Sequence, residues 1–292
     1  MRTTFLRWVC GLTVWGATPF LIPAQVVDST DVHRGRAWVV GGGAGALAVG
    51  SLIALDQAWY ADYERSAFHF FDDGNEWLQM DKVGHAWTTY TLASYGHAAF
   101  RWAGLPEKRS IWIGGSLGWA YLAGIEYLDG RSAEWGFSWG DMAANTFGTG
   151  LFIAQQLGWK EQRIGLKYSA HLTDYAPQRP EVLGSTTPER ILKDYNGATV
   201  WLSGNLKALG CQGAPAWLNV AVGYGAQGML NAEGDRGAHR QFYFAPDIAL
   251  SRLPVKSRLW RTVFFVLDRV KVPLPTLELR EGGSLRGHWL YF

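Results

Sequence analysis

Between Asp81 and Gly148 the chain repeats one arrangement, apolar runs broken at helical spacing by single polar or titratable residues. The runs are DKVGHAWTTYTLASYGHAAF (81–100), GIEYLDGRSAEWGFSWGD (124–141) and MAANTFGTGLF (142–152). Asp81 and His85 are four apart, so on a helix their side chains share a face. Asp141, Asn145 and Gly148 repeat that spacing, and Glu126 falls near the end of the helix between the two. The pattern predicts helices from Glu76 or Met80 to about Trp102, from Arg109 to about Tyr127, and from just after Trp139 to about Gly158. Gly104-Leu105-Pro106 stops the first. Gly114 and Gly118 would let a neighbouring helix approach the second closely. Asp141 suits the positive end of the third.

Upstream, Ala37–Leu55 is an uncharged run at the edge of the length that spans a bilayer, about twenty residues. Its Gly and Ala content equally suits a buried, tightly packed helix. Gln57–Phe71 reads as a continuing helix or helix pair, and Asp72-Asp73-Gly74-Asn75 as a turn. After Trp159 the texture changes. Segments 166–176, 217–230 and 240–253 alternate like strands, 177–190 reads as loop opening into a short helix at Thr187-Pro188-Glu189, and 258–270 is amphipathic at helical spacing. The tail reads as two short strands around Gly282-Gly283. The architecture expected is therefore mainly α: an N-terminal helical bundle of four to five helices (25–160) with a smaller α+β C-terminal part (161–292) containing short antiparallel strands and packed on the bundle.

Composition narrows the setting. The 292 residues are 48% hydrophobic and 14% aromatic, with 16 Trp. Rings with an apolar body and a polar tip suit a lipid or glycan boundary, and equally an aromatic core. Arg2 and Arg7, the apolar run Trp8–Ile22 and Pro23-Ala24-Gln25 have the form of a secretory signal peptide over residues 1–24. Cleavage there removes two Arg and leaves acids and bases in balance, which argues against nucleic acid as a partner. Cys10 follows Val9 within the apolar run, unlike a lipid-attachment cysteine behind a small residue. The expected location is exported and periplasmic, associated with the inner or outer membrane.

Three groups of residues could carry chemistry. An imidazole beside a carboxylate, His85 with Asp81, is the common way to fix a tautomer for acid–base work, and Lys82 beside them can pair with an acid across the bundle. The pair also occurs as a plain helix-surface bridge. Glu126, Asp129 and Arg131 follow as ExxDxR; two carboxylates three apart can share a proton, hold a metal or clamp the arginine, or simply close a helix end at Gly130. The third group is the loop 134–141, where Trp135 and Trp139 either pack down as a lid or offer rings to a sugar or lipid. Asn145 projects from the next helix. A metal reading would gather His85, Glu126, Asp129 and Asp141, but oxygen-rich ligands with one His do not resemble structural zinc and no HExxH is present, so no metal ligand is assigned. No Walker loop, nucleophile elbow or dinucleotide fingerprint occurs, and no cofactor is identified.

DKxxH at 81–85, ExxDxR at 126–131 and GFSWGD at 136–141 together resemble the YfiM-like family of predicted bacterial periplasmic lipoproteins. The rest of the chain is similar to its longer members, from Bacteroidetes-like envelopes. The order Asp-Lys…His, Glu, Arg/Asp and Asp…Asn…Gly also faintly resembles VanZ-like membrane proteins. The resemblance implies an envelope location and no established activity. The leading expectation is an envelope protein held at the membrane, with a buried polar network (Asp81, Lys82, His85, Glu126, Asp129, Arg131, Asp141, Asn145) that is structural or binds an envelope lipid or glycan. The first alternative is an acid–base hydrolase or transferase on a lipid-linked or glycan substrate, with His85 as base, Asp81 orienting it and Glu126 or Asp141 as acid. The second is an outer-membrane assembly or partner-binding protein, because the terminal Phe292 after alternating apolar positions is similar to the last strand of outer-membrane barrels. No protein partner is assigned.

Overall fold

A computed structural model describes residues 32–58, 63–234 and 237–292; the signal-like segment and Cys10 lie outside these. Helix α1 (Arg34–Ala58) is followed by α2 (Met80–Trp102), α3 (Glu107–Gly115), α4 (Leu117–Asp129) and α5 (Trp139–Trp159). The helix read over 109–127 is two, parted at Ser116 where Gly114-Gly115 weakens helix propensity. Glycines set how near these helices come. A Cβ on Gly96 would stand 2.3 Å from the Gly114 carbonyl oxygen, and one on Gly148 would stand 2.0 Å from that of Ala86. Bare backbone at these crossings draws α3 and α5 onto α2, over a core of Ala86, Tyr90, Ala93, Ile111, Phe152 and Ile153.

Two upstream expectations change. α1 is not a buried helix: Arg34–Gln57 is long and apolar enough to cross a membrane, and none of that apolar window is buried. Residues 63–71 are extended rather than helical. Ser66 N–H donates to Arg131 O at 3.0 Å and Phe71 N–H to Phe137 O at 3.1 Å, so this stretch runs beside the 131–137 loop.

The larger correction concerns fold class. Helix makes up 49% and strand 21% of the described residues, which carry one six-stranded antiparallel sheet rather than a mainly α bundle with a minor strand region. The strands are β1 (Ile164–Ala170), β2 (Ala198–Asn205), β3 (Leu218–Gln227), β4 (His239–Ile248), β5 (Leu274–Arg280) and β6 (Leu285–Tyr291), paired strictly in chain order. Between β1 and β2 lie the short helices α6 (Pro180–Leu183) and α7 (Thr187–Lys193), the latter opened by a Thr186–Glu189 capping box. Helix α8 (Arg258–Leu267) lies between β4 and β5. The meander escaped the sequence reading because β2 begins in a turn-like DYNGA stretch and its neighbours are rich in Gly and Asn, which weaken strand signals.

The sheet curls strongly. The Tyr291 hydroxyl on β6 donates to that of Tyr243 on β4 at 2.6 Å and lies 3.1 Å from Thr199 Oγ1 on β2. The outer edge of β1 is strapped by residues 269–271, through Tyr168 N–H to Arg269 O at 3.0 Å and Lys271 N–H to Tyr168 O at 2.9 Å. Leu166 of β1 joins the helical core, so sheet and helices pack together.

Candidate functional site

Helix α2 begins from an unusual turn. Trp77, Leu78 and Gln79 all have positive φ (49°, 48° and 63°), a conformation that costs a non-glycine residue roughly 1 kcal/mol or more. The sheet side of the molecule holds it in place. Tyr224 of β3 donates its hydroxyl to Leu78 O, Arg240 of β4 donates to Gln79 Oε1 at 2.9 Å, and Trp77 N–H donates to Ala232 O at 2.7 Å. The first turn of α2 is thereby aimed so that Asp81, Lys82 and His85 face α5 and the end of α4.

Lys82 Nζ lies 2.6 Å from Asp73, 2.9 Å from Asp141 and 3.3 Å from Asp81. His85 sits one turn on. Its Nδ1 donates to Asn145 Oδ1 at 3.1 Å and is 3.8 Å from Glu126 Oε1; its Nε2 is 3.7 Å from Asp81 and 3.9 Å from Asp141. Three helices, α2, α4 and α5, thus meet at one imidazole. Glu126, 1% exposed, accepts from Ser138 N–H at 3.1 Å, and the Ser138 hydroxyl donates to Asp73 at 2.6 Å while capping α5. Tyr195, far along the chain, donates its hydroxyl to Asp81 at 2.8 Å.

The charges divide by environment. Burial pushes the Asp141 carboxyl up to about 9, with the Asp81 charge adding to it. Burial likewise lifts Glu126 to about 8, against the Ser138 N–H. Asp81 moves the other way: burial opposes its charge, but His85, Lys82 and the Tyr195 hydroxyl outweigh it and hold the carboxyl below its ordinary range. Asp73 is also held low, burial being outweighed by hydrogen bonds from Asp141, Lys82 and Ser138. Lys82 is held strongly protonated, since Asp81 and Asp141 more than offset its burial. At neutral pH the site therefore contains two ionised and two protonated carboxyl groups around an ammonium and an imidazole.

Of the residues read from sequence, Asp81, Lys82, His85, Glu126, Asp141 and Asn145 come together. Asp129 acts on the cluster by its charge, which adds to the lift of the Glu126 carboxyl, and Arg131 lies on the surface beside it. Arg131 is exposed, with its carbonyl accepting from Ser66, and Asp129 ends α4 with its carbonyl accepting from Ser132 N–H at 3.0 Å. The tryptophans turn to the 63–71 stretch: Trp135 meets Tyr63 edge-on at 4.7 Å and Trp139 stacks on Phe70 at 5.8 Å. Asp73 and Tyr195 were missed. Asp73 is hidden in a turn motif, and nothing local marks Tyr195.

The arrangement can hold a small cation or a polar group. Asp81, His85 and Asp141 offer ligand atoms within 4.8 Å of one another, a mixed oxygen–nitrogen set. It differs from the set gathered from sequence by including Asp81 and leaving out Glu126 and Asp129. Two buried atoms in the cluster have unused hydrogen-bonding capacity. Asn145 Nδ2 has no partner, and Asp141 Oδ1 has the Lys82 ammonium nearby but no well-directed hydrogen bond.

The chain matches neither a curated protein nor a solved structure. Residues 69–155, the stretch that supplies all of this centre but Tyr195, match the model of a family described as predicted periplasmic lipoprotein (DUF2279), in keeping with an exported, periplasmic, membrane-associated envelope protein.

Proposed function

We propose that this envelope protein, held at the membrane, binds the polar part of an envelope lipid or glycan at the His85 centre. The observation that carries the reading is the unpartnered Nδ2 of Asn145, fully buried beside His85. A network serving stability alone gains from satisfying every member, and a buried donor left unpaired costs about 1–3 kcal/mol. A hydroxyl or phosphoryl oxygen would use that donor, while the neighbouring carboxylates accept from ligand hydroxyl or amine groups. On the same reading the chain is YfiM-like, by DKxxH at 81–85, ExxDxR at 126–131 and GFSWGD at 136–141, with a fainter likeness to VanZ-like membrane proteins.

The test is the double variant His85→Ala, Glu126→Gln in the full chain, expressed in a strain lacking the wild-type copy. The expected result is a protein with wild-type membrane fractionation and cooperative unfolding that no longer restores resistance to detergents or cell-wall antibiotics. Full restoration of resistance by the folded variant would sink the proposal.

A second reading, an acid–base hydrolase or transferase, draws on the split among the carboxyl groups. Glu126 and Asp141 keep protons to about 8 and 9, while Asp81 stays ionised against the same imidazole. Groups pushed apart in this way suit one donor and one acceptor of protons. This reading requires turnover of a lipid-linked glycan with a rate that falls as the acid titrates, and binding without turnover excludes it.

A further inference from the structure

The two faces of the sheet are divided unlike those of a water-soluble one, with charged and polar groups sharing the interior with an aromatic cluster of Trp201, Tyr243 and Tyr291. On its concave face Lys167, Ser203, Asn219, Gln241, Asp247 and Glu278 are all no more than 6% exposed. They are bonded to one another and to α8's end: Lys167 Nζ lies 2.8 Å from Asp247 and 3.1 Å from Asp268, Ser203 donates to Asp247 at 2.6 Å, and Gln241 donates to Glu278 at 2.7 Å. On the convex face Leu202, Val222, Phe242, Phe244, Leu277 and Leu279 are between 39% and 52% exposed. Their register makes continuous rows, Leu202–Val222–Phe244–Leu277 across four strands and Phe242–Leu279–Leu285 beside it. At one side the helices cover the same face and bury Leu166 and Val200; beyond that cover, equally apolar positions stand open.

Water selects against charged groups inside and against continuous apolar rows outside. A polar, hydrogen-bonded interior with an outward apolar band is what hydrocarbon selects. Strands β3 and β4, ten residues each, have the length of membrane strands, about 9–11 residues. Two other apolar surfaces are also open: the side of α1 that carries Trp38, Val39, Leu47, Val49 and Ile53, and the Leu259, Trp260, Val266 and Leu267 side of α8. A single apolar solvent covers all three surfaces at once, whereas a protein partner would have to fit each of them. We infer that the convex face of the sheet is a lipid-contacting surface, with the hydrocarbon of a bilayer as its occupant. This holds whatever the His85 centre binds.

Because α1 can tether the chain to vesicles by itself, the test reads the sheet locally. Val222→Cys and Phe244→Cys, each carrying an environment-sensitive fluorophore, are placed in the full chain in phosphatidylethanolamine–phosphatidylglycerol vesicles, with circular dichroism confirming the fold. The expected result is a blue-shifted emission, lost when the acyl chains carry bromine and little affected by aqueous iodide. Quenching by iodide alone would show a face in water, and shielding from both quenchers would show a face covered by protein; either outcome overturns the inference. A label at Leu277→Cys repeats the reading if one of the first two variants misfolds.

Discussion

Glu126 is a residue whose environment departs far from its ordinary chemistry, being buried at the end of α4 with one backbone N–H as its donor. Its carboxyl is lifted from 4.5 to about 8, so the folded state favours the protonated form. For an acid raised in this way, the stabilising contribution is full below the unfolded value and is lost as pH rises through the folded one. Asp141, lifted to about 9, has the same sign. Urea unfolding should therefore show stability falling between pH 6 and pH 9, by an amount on the order of a few kcal/mol. Glu126→Gln, which keeps the shape of the protonated acid, should flatten part of that fall. A pH profile unchanged by the substitution would remove the case for a protonated Glu126.

At the scale of the elements, the crossing of α2 and α5 decides whether the site exists. Gly148 presses on the Ala86 carbonyl, next to His85, and lies on the same helix as Asp141 and Asn145. Gly148→Ala forces the helices apart at the point where they bring imidazole and acids together, and an overpacked contact of this kind costs about 1–3 kcal/mol. Thermal unfolding reads the loss. An alanine variant as stable as wild type would mean that the helices are not held this closely. Much of this region was legible beforehand: the four-residue spacing of Asp81 with His85 and of Asp141 with Asn145 placed both pairs on helix faces, and the stop at Gly104-Leu105-Pro106 agrees with α2 ending at Trp102. Most of the strands were legible but their union in one sheet was not, for a physical reason. Period-two alternation tells that two faces differ, not which one meets water, and the count of strands depended on β2, whose opening residues look like a turn. Arg131 and the two tryptophans were placed at the site by proximity in sequence, but the 63–71 stretch, read as helix, lies extended against that loop and takes up Trp135 and Trp139.

On the scale of the whole molecule, the site is completed from beyond the stretch that matches the family model. Tyr195 lies just before β2 and its hydroxyl is part of what keeps Asp81 ionised. Tyr195→Phe should raise the Asp81 carboxyl pKa, followed by carbon-detected NMR titration, and should reduce stability by about 1 kcal/mol. An unmoved Asp81 titration would show that the two halves meet without acting on one another. The left-handed turn at 77–79 gives that meeting a direction. It is sprung by its own backbone and kept shut by two side chains reaching from neighbouring strands. Whatever bends those strands would let the latch relax, and the first things to swing would be the carboxylate and ammonium that begin the next helix.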